Sequence, residues 1–330
     1  MVAIDGDHNG WRRLVLPIAH IDRLVLNAVL SVASFHLTSR QYSRKQRLLS
    51  GDKCSLMTAT FTSDSKSSWS TNLQAIHLYN CVITELQRRD LRGSDNSKRL
   101  FILLAILTLL VAVMVTGSDD FPALFRLLES ALRIIGGEES LGKDELATFI
   151  MRQVRKMRVY AAPLLSKESG VTTLSSKTQI TRALDCVRHC SKEHPEHSVA
   201  VSAVMDLIQQ SYDIYLFQAS HDIHQPSMKA FSTADTESIC RVQRFKETLE
   251  LFPSGSPGKQ VLIWATFVAA SDCILEEHKT FFTNTFVNFY KRSGFENILR
   301  GLEHLKMAWA RRASGDSWIS LLPEAKVLVM

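Results

Sequence analysis

Residues 100–117 read LFILLAILTLLVAVMVTG, and no charged side chain interrupts these eighteen positions. Charge stands only at the borders, with Lys98 and Arg99 before the run and Asp119 and Asp120 after it. A helix of this composition has no polar stripe to turn toward water, so it must be covered on every side. The cover is either protein or lipid. Eighteen residues lie at the lower edge of what spans a bilayer, and no second segment supports a membrane. The expected solution is a helix buried at the centre of a large helical protein. The alternative is a membrane-associated helical protein that uses residues 100–117.

The remainder of the chain favours helices. Its 330 residues are 45% apolar and 22% charged, which suits a globular chain with a substantial core. Only 14 Gly and 8 Pro are present, too few for a turn-rich all-β fold, and no stretch alternates as a half-buried strand would. Apolar residues instead recur at three- and four-residue steps. The spacing predicts helices over 21–37, from about 71 to 86, and over 121–135, the last closed by Gly136-Gly137. Further helices are expected over 145–161, 180–190, 199–218 and 236–251. In the first of these, Arg152, Arg155, Lys156 and Arg158 are expected on the exposed side. Residues 40–70 lose the periodicity and are rich in Ser, Thr and basic residues, so they read as a long polar loop. Residues 167–177 read as a Ser/Thr-rich break. The turn cluster Pro253-Ser-Gly-Ser-Pro-Gly258 then delivers the chain into three amphipathic helices within 261–330. In the last of them Phe295, Leu299, Leu302, Leu305 and Trp309 form a stripe, and Glu296 stands four residues before Arg300 as its ion partner. The fold class is all-α: a large multi-helix array around a buried central apolar helix.

Chemistry is hard to find in this pattern. The six cysteines, at 54, 81, 186, 190, 240 and 273, are scattered and read as reduced thiols of an intracellular protein. The acidic N-terminal stretch does not have the basic and apolar character of a secretory signal. Cys186, His189, Cys190, His194 and His197 offer thiolate and imidazole, the donors zinc prefers. Their spacings match no common zinc module, and Pro195 interrupts any helix that would carry them together; no metal site is expected. Gly255, Gly258 and Lys259 imitate the end of a phosphate loop, but Gln260 stands where Ser or Thr must hold magnesium. Ser63 and Lys66 fit a minimal Ser-x-x-Lys spacing in a Ser/Lys-rich stretch where it arises by chance. No nucleophile elbow, dinucleotide loop or HExxH is present. No catalytic, cofactor-binding or metal residues are expected, no cofactor is implied, and the chain is not expected to be an enzyme. A net charge of +6 tolerates an acidic partner without requiring one. The basic run from Arg40 through Arg44 and Lys45 to Arg47 has the composition of a nuclear import signal or of a solvated loop.

Several landmarks follow one another in a fixed order. Trp11-Arg12-Arg13-Leu14-Val15-Leu16-Pro17 precedes the first long helix, and the apolar run and the helix at 121–135 come next. Toward the end stand Trp264, Phe267, Ala269 and Ala270, then Glu276-Glu277-His278, Phe282, Tyr290 and Ser293-Gly294-Phe295. Trp309-Ala310-Arg311-Arg312, Gly315, Trp318 and Leu321-Leu322-Pro323 close the series. This order resembles the fungal-specific transcription factor domain, the helical regulatory region that follows a six-cysteine zinc cluster in many fungal regulators. The match is tightest over 261–330. The resemblance implies one regulatory domain over residues 1–330, located in the nucleus. It would act through contacts with the transcriptional machinery or regulatory proteins, with a small-molecule inducer and a homodimer as further candidate partners. No tight run of six cysteines exists in the sequence, so DNA is expected as a direct partner only if such a segment is missing from the gene model.

Overall fold

The computed structural model describes residues 4–49, 66–91, 95–221, 233–312 and 316–330. Fifteen α-helices and a few short 3-10 or π turns make up the described residues, and no strand occurs among them. The all-α expectation holds. After a π turn at Trp11–Val15 come α1 (Leu16–Ile21), α2 (Arg23–Leu49) and α3 (Lys66–Arg88). Then follow α4 (Asn96–Thr116), the apolar helix, and α5 (Phe121–Ile135).

The ends of α4 are set by local chemistry. Asp95 accepts from the Lys98 amide at 2.9 Å as the N-terminal cap, and Gly117 adopts φ 66° at the other end. A Cβ at Gly117 would lie 3.1 Å from the Glu296 backbone, so glycine also permits a close approach of distant chain. From Leu100 to Val115 every residue is buried except Phe101 and Val111. The cover is protein: α2, α5 and α6 (Glu145–Leu165) pack on α4, as does a helix from the far end of the chain. α4 is the one helix among the described residues with the length and composition to cross a membrane, and 78% of its apolar window is buried. The membrane alternative therefore finds no support.

The second half holds α7 (Lys167–Leu174), α8 (Lys177–Ala183), α9 (Asp185–Glu193), α10 (Ser198–His221) and α11 (Thr233–Glu250). It ends with α12 (Ile263–Ser271), α13 (Glu276–Ser293), α14 (Glu296–Arg312) and the short α15 (Trp318–Leu321). α14 is the distant helix that closes over α4. One continuous hydrophobic cluster includes residues from Ile4 to Met330, with Trp264, Phe267, Leu302 and Trp309 in it as expected. Phe282, Phe286 and Phe289 are buried there too. The Trp309 indole donates to the Ala270 carbonyl at 2.8 Å.

Several expectations need correction. Residues 40–70 are not a loop throughout, because α2 continues to Leu49 and α3 begins at Lys66. Arg, Lys, Gln and Leu are good helix formers, and no Gly or Pro stops α2 before Leu49, so losing the apolar period did not end the helix. Residues 50–65, with Cys54 and Ser63, lie outside the described residues, as do Gly315 and the side chains of Arg44, Lys45, Arg47 and Lys66. The break at 167–177 contains α7, started by the Ser166 hydroxyl accepting from the Ser169 amide at 3.1 Å. Helix α12 is not amphipathic, since all nine of its residues are buried. The basic face of α6 is not an exposed surface. Arg155 bonds Glu138, Arg158 bonds both Glu129 and Glu138, and Lys156 is buried. The helix is covered by α4, α7, α8 and α9, so its cations were paired or enclosed rather than solvated.

The C-terminal helices are tied together by polar contacts inside the core. Asp272, just beyond α12, is fully buried. It accepts from Ser238 Oγ at 2.6 Å, Arg312 Nη1 at 2.7 Å and Trp318 Nε1 at 2.9 Å. Three elements thus converge on one carboxylate. α2 docks on the turn between α13 and α14: His36 Nε2 lies 2.8 Å from the Ser293 carbonyl, and Ser39 donates to the Gly294 carbonyl at 2.5 Å. Glu296, expected to pair with Arg300, accepts the Tyr290 hydroxyl at 2.9 Å; burial raises its pKa, and the Arg300 charge acts in the opposite direction.

Buried imidazoles give this core an acid limit. Burial lowers the pKa of His278 and of His304 below 6.5; His278 also donates to Gln243 Oε1 at 2.7 Å. Below 6.5 the unfolded chain binds protons that the folded chain does not, so stability falls as pH drops through that value. Urea midpoints should decrease from pH ~7.5 to pH ~5.5, and the decrease should shrink when both histidines are replaced by Gln.

Candidate functional site

The segment before the π turn folds back over α6 and α9. Asn9 fixes it locally: its amide donates to Asp5 Oδ1 at 2.8 Å, and its Oδ1 accepts from the Trp11 amide at 3.0 Å. Two glycines let it lie flat. A Cβ on Gly10 would stand 2.4 Å from the Phe149 ring, and one on Gly6 would stand 2.8 Å from His194 Nε2. Trp11 then meets Phe149 edge to face with centroids 5.5 Å apart.

Between this segment, α6 and α9 lie two adjoining spaces, a cleft of about 340 Å³ and a recess of about 50 Å³. His8, Gly10, Arg152 and His189 line both spaces. The recess adds Lys156, Gln153, Tyr160, Cys186 and Cys190, with Phe149 and Val261 among its apolar walls. Lys156 donates to Gln153 Oε1 at 2.8 Å. Burial pulls its pKa below the ordinary lysine value, and the two nearby sulfurs act in the opposite direction. Behind the recess Tyr160 stacks on Trp264 at 4.8 Å, and the Trp264 indole donates to the Tyr160 carbonyl at 2.9 Å. The recess is therefore backed by the core of the C-terminal helices.

The sequence grouped Cys186, His189, Cys190, His194 and His197, and the fold disperses them. The thiol of Cys186 donates to the Arg152 carbonyl at 3.5 Å, while Cys190 is buried. His194 turns to the N-terminal segment, where its Nε2 lies 3.1 Å from His8 Nδ1, and its Nδ1 lies 2.9 Å from Glu196 Oε1. Among the described residues no group of three or more His, Cys, Asp or Glu side chains could hold a metal ion. Burial and the charge of Arg152 lower the His189 pKa. Gly255, Gly258 and Gln260 form no anion cradle; the Gln260 side chain accepts from the Gly258 amide at 3.3 Å in the turn before α12. His8 and Lys156 went unnoticed in the sequence as site residues. No local signal marked either, since Lys156 stands among Arg152, Gln153, Arg155 and Arg158 in the sequence.

The arrangement is a concave space of metabolite size lined by charged, polar and apolar side chains. Of its candidate nucleophiles, Cys186 donates to the Arg152 carbonyl and not to a general base. Comparison with known proteins gives the context. A family model described as the fungal specific transcription factor domain matches residues 1–161 and 164–330. Nothing matches among curated proteins or among solved structures. With nearly the whole chain matched, and with the helix order and buried α4 in place, the chain belongs to the fungal specific transcription factor domain family and is of the fungal transcription regulator type.

Proposed function

We propose that residues 1–330 form a single regulatory domain that acts in the nucleus, controls transcription through protein contacts and answers to a small-molecule inducer. The observation that carries this reading is the family match along the whole chain. Two features support the finer parts. The cleft and recess supply a concave site of metabolite size with polar and apolar walls, and the sequence holds no six-cysteine run to read DNA. Partners are the transcriptional machinery or regulatory proteins, and a homodimer is part of the proposal. DNA joins them only through a zinc cluster supplied by a further segment of the gene. The chain has no enzymatic role in this reading.

A direct consequence concerns duplex DNA. These residues should show no sequence preference at physiological salt, because they carry no zinc-supported recognition helix. The net charge of +6 gives weak association at low salt that falls steeply as salt rises, since counterion release drives it. Fluorescence anisotropy with promoter fragments and scrambled duplexes measures both. A preference that survives physiological salt would overturn this part of the reading, and steady exclusion of the tagged protein from nuclei would overturn its location.

A further inference from the structure

Residues 327–330 lie outside any helix, yet Val327, Leu328, Val329 and Met330 are each at most 4% exposed. They leave the 3-10 turn Leu322–Ala325 through Lys326, pass over α14, and bring Met330 into the wall of the recess that Tyr160, Val261 and Cys190 also line. Val329 packs on Gly301 of α14, where a Cβ would stand 3.0 Å from its methyl group. Among the described residues one hydrogen bond holds the backbone of this segment, from Asn297 Nδ2 to the Leu328 carbonyl at 2.7 Å. The Oδ1 of the same Asn297 is buried without a partner. Buried backbone is normally paired almost throughout. This segment is instead held mainly by side-chain packing, which makes it separable from the helices around it.

The hinge is marked by an independent observation. Lys326 adopts φ 49° and ψ 14°, and it is the one non-glycine residue with positive φ among the described residues. Left-handed backbone is unfavourable for any residue with a Cβ. Lys326 is exposed, so packing of its own side chain does not compensate. Docking of residues 327–330 holds this conformation, and release relieves it.

A water needs about 10–15 Å³ measured this way, so with Met330 in place a recess of about 50 Å³ holds a few waters or one small group. We propose that residues 327–330 are a strap that closes the recess and swings out about Lys326, and that the inducer binds the released form, reaching from the cleft into the space Met330 vacates. This rests on the reading that the domain answers to a small molecule, and adds how access to its site is controlled. A molecule that needs the enlarged recess shifts the population toward the released strap by its preference for that form.

Alkylation of the full chain by N-ethylmaleimide, resolved residue by residue with mass spectrometry, tests the strap. Cys190 is buried and lines the recess, so its labelling rate follows the population of open strap. Cys273, buried beside Asp272, reports global unfolding. Lys326→Val changes an exposed side chain to a branched one that the left-handed region excludes, and should speed Cys190 labelling about fivefold or more. Lys326→Asn, which enters that region more readily, should slow it. Gly301→Ala suits a helix but crowds Val329, and should speed labelling as well. The Cys273 rate should stay at its wild-type value in all three. Equal Cys190 rates in wild type and both Lys326 variants would overturn the proposal, and so would Cys273 rising in step with Cys190. The exposed Lys326 variants decide the matter if Gly301→Ala fails to fold. Labelling needs no inducer, so a failed strap leaves the regulatory reading standing, and a silent reporter fusion leaves the strap standing.

Discussion

Replacing Asp272 by alanine should destabilise the protein by about 3–5 kcal/mol, the range for removing one partner of a buried ionic contact. The carboxylate is fully buried and is shared by Ser238 of α11, Arg312 at the end of α14 and Trp318 of α15. Its loss leaves the Trp318 N–H and the Ser238 hydroxyl without their acceptor. Arg312 keeps some access to water, with a side chain 19% exposed, which holds the cost toward the lower end. Asp272→Asn retains an acceptor and the shape, so it should cost less than alanine. Chemical denaturation of the three proteins measures this series. A cost below about 1 kcal/mol for the alanine variant would show that the three elements are held by apolar packing alone.

Trp264→Ala should cost a similar ~3–5 kcal/mol, through lost burial and the cavity left behind. The indole is 1% exposed, stacks on Tyr160 and lies 5.6 Å from the Tyr212 ring. Its N–H bond to the Tyr160 carbonyl joins α12 to α6 across 104 residues. Trp264→Phe keeps an aromatic body against Tyr160 and loses that bond, so its cost should fall between wild type and alanine. Because Tyr160 also lines the recess, the alanine variant should loosen the site wall as well as the core. Equal denaturation midpoints for wild type and Trp264→Ala would contradict the packing described.

What the sequence revealed follows from how local each signal was. Helix α4 was legible because its composition permits no surface, and α5 was placed at both ends because Gly136 adopts φ 105° after a clear stripe. The Trp264–Trp309 core was legible as apolar periodicity. Helix α7 was hidden because Ser, Thr and Gly are poor helix formers. It exists through its Ser166 cap and its packing, with Gly170 so near Tyr215 that a Cβ would stand 2.2 Å from the hydroxyl. Lys156 was misplaced because a helical wheel shows which side a residue is on, not how many sides are covered. The contact of His8 with His194 spans 186 residues, and no local pattern encodes it. The same holds for Asp272, whose three donors come from three helices.

The regulatory role itself is tested most directly by delivering the chain to a promoter. Residues 1–330 fused to an unrelated DNA-binding module should change expression of a reporter carrying that module's sites, in the nucleus of a fungal host. The unfused chain should leave the reporter unchanged, and Asp272→Ala or Trp264→Ala should weaken the fused effect in step with lost folding. A stable, nuclear fusion that occupies the sites and leaves expression at the level of the module alone would contradict the reading of this chain as a transcriptional regulatory domain.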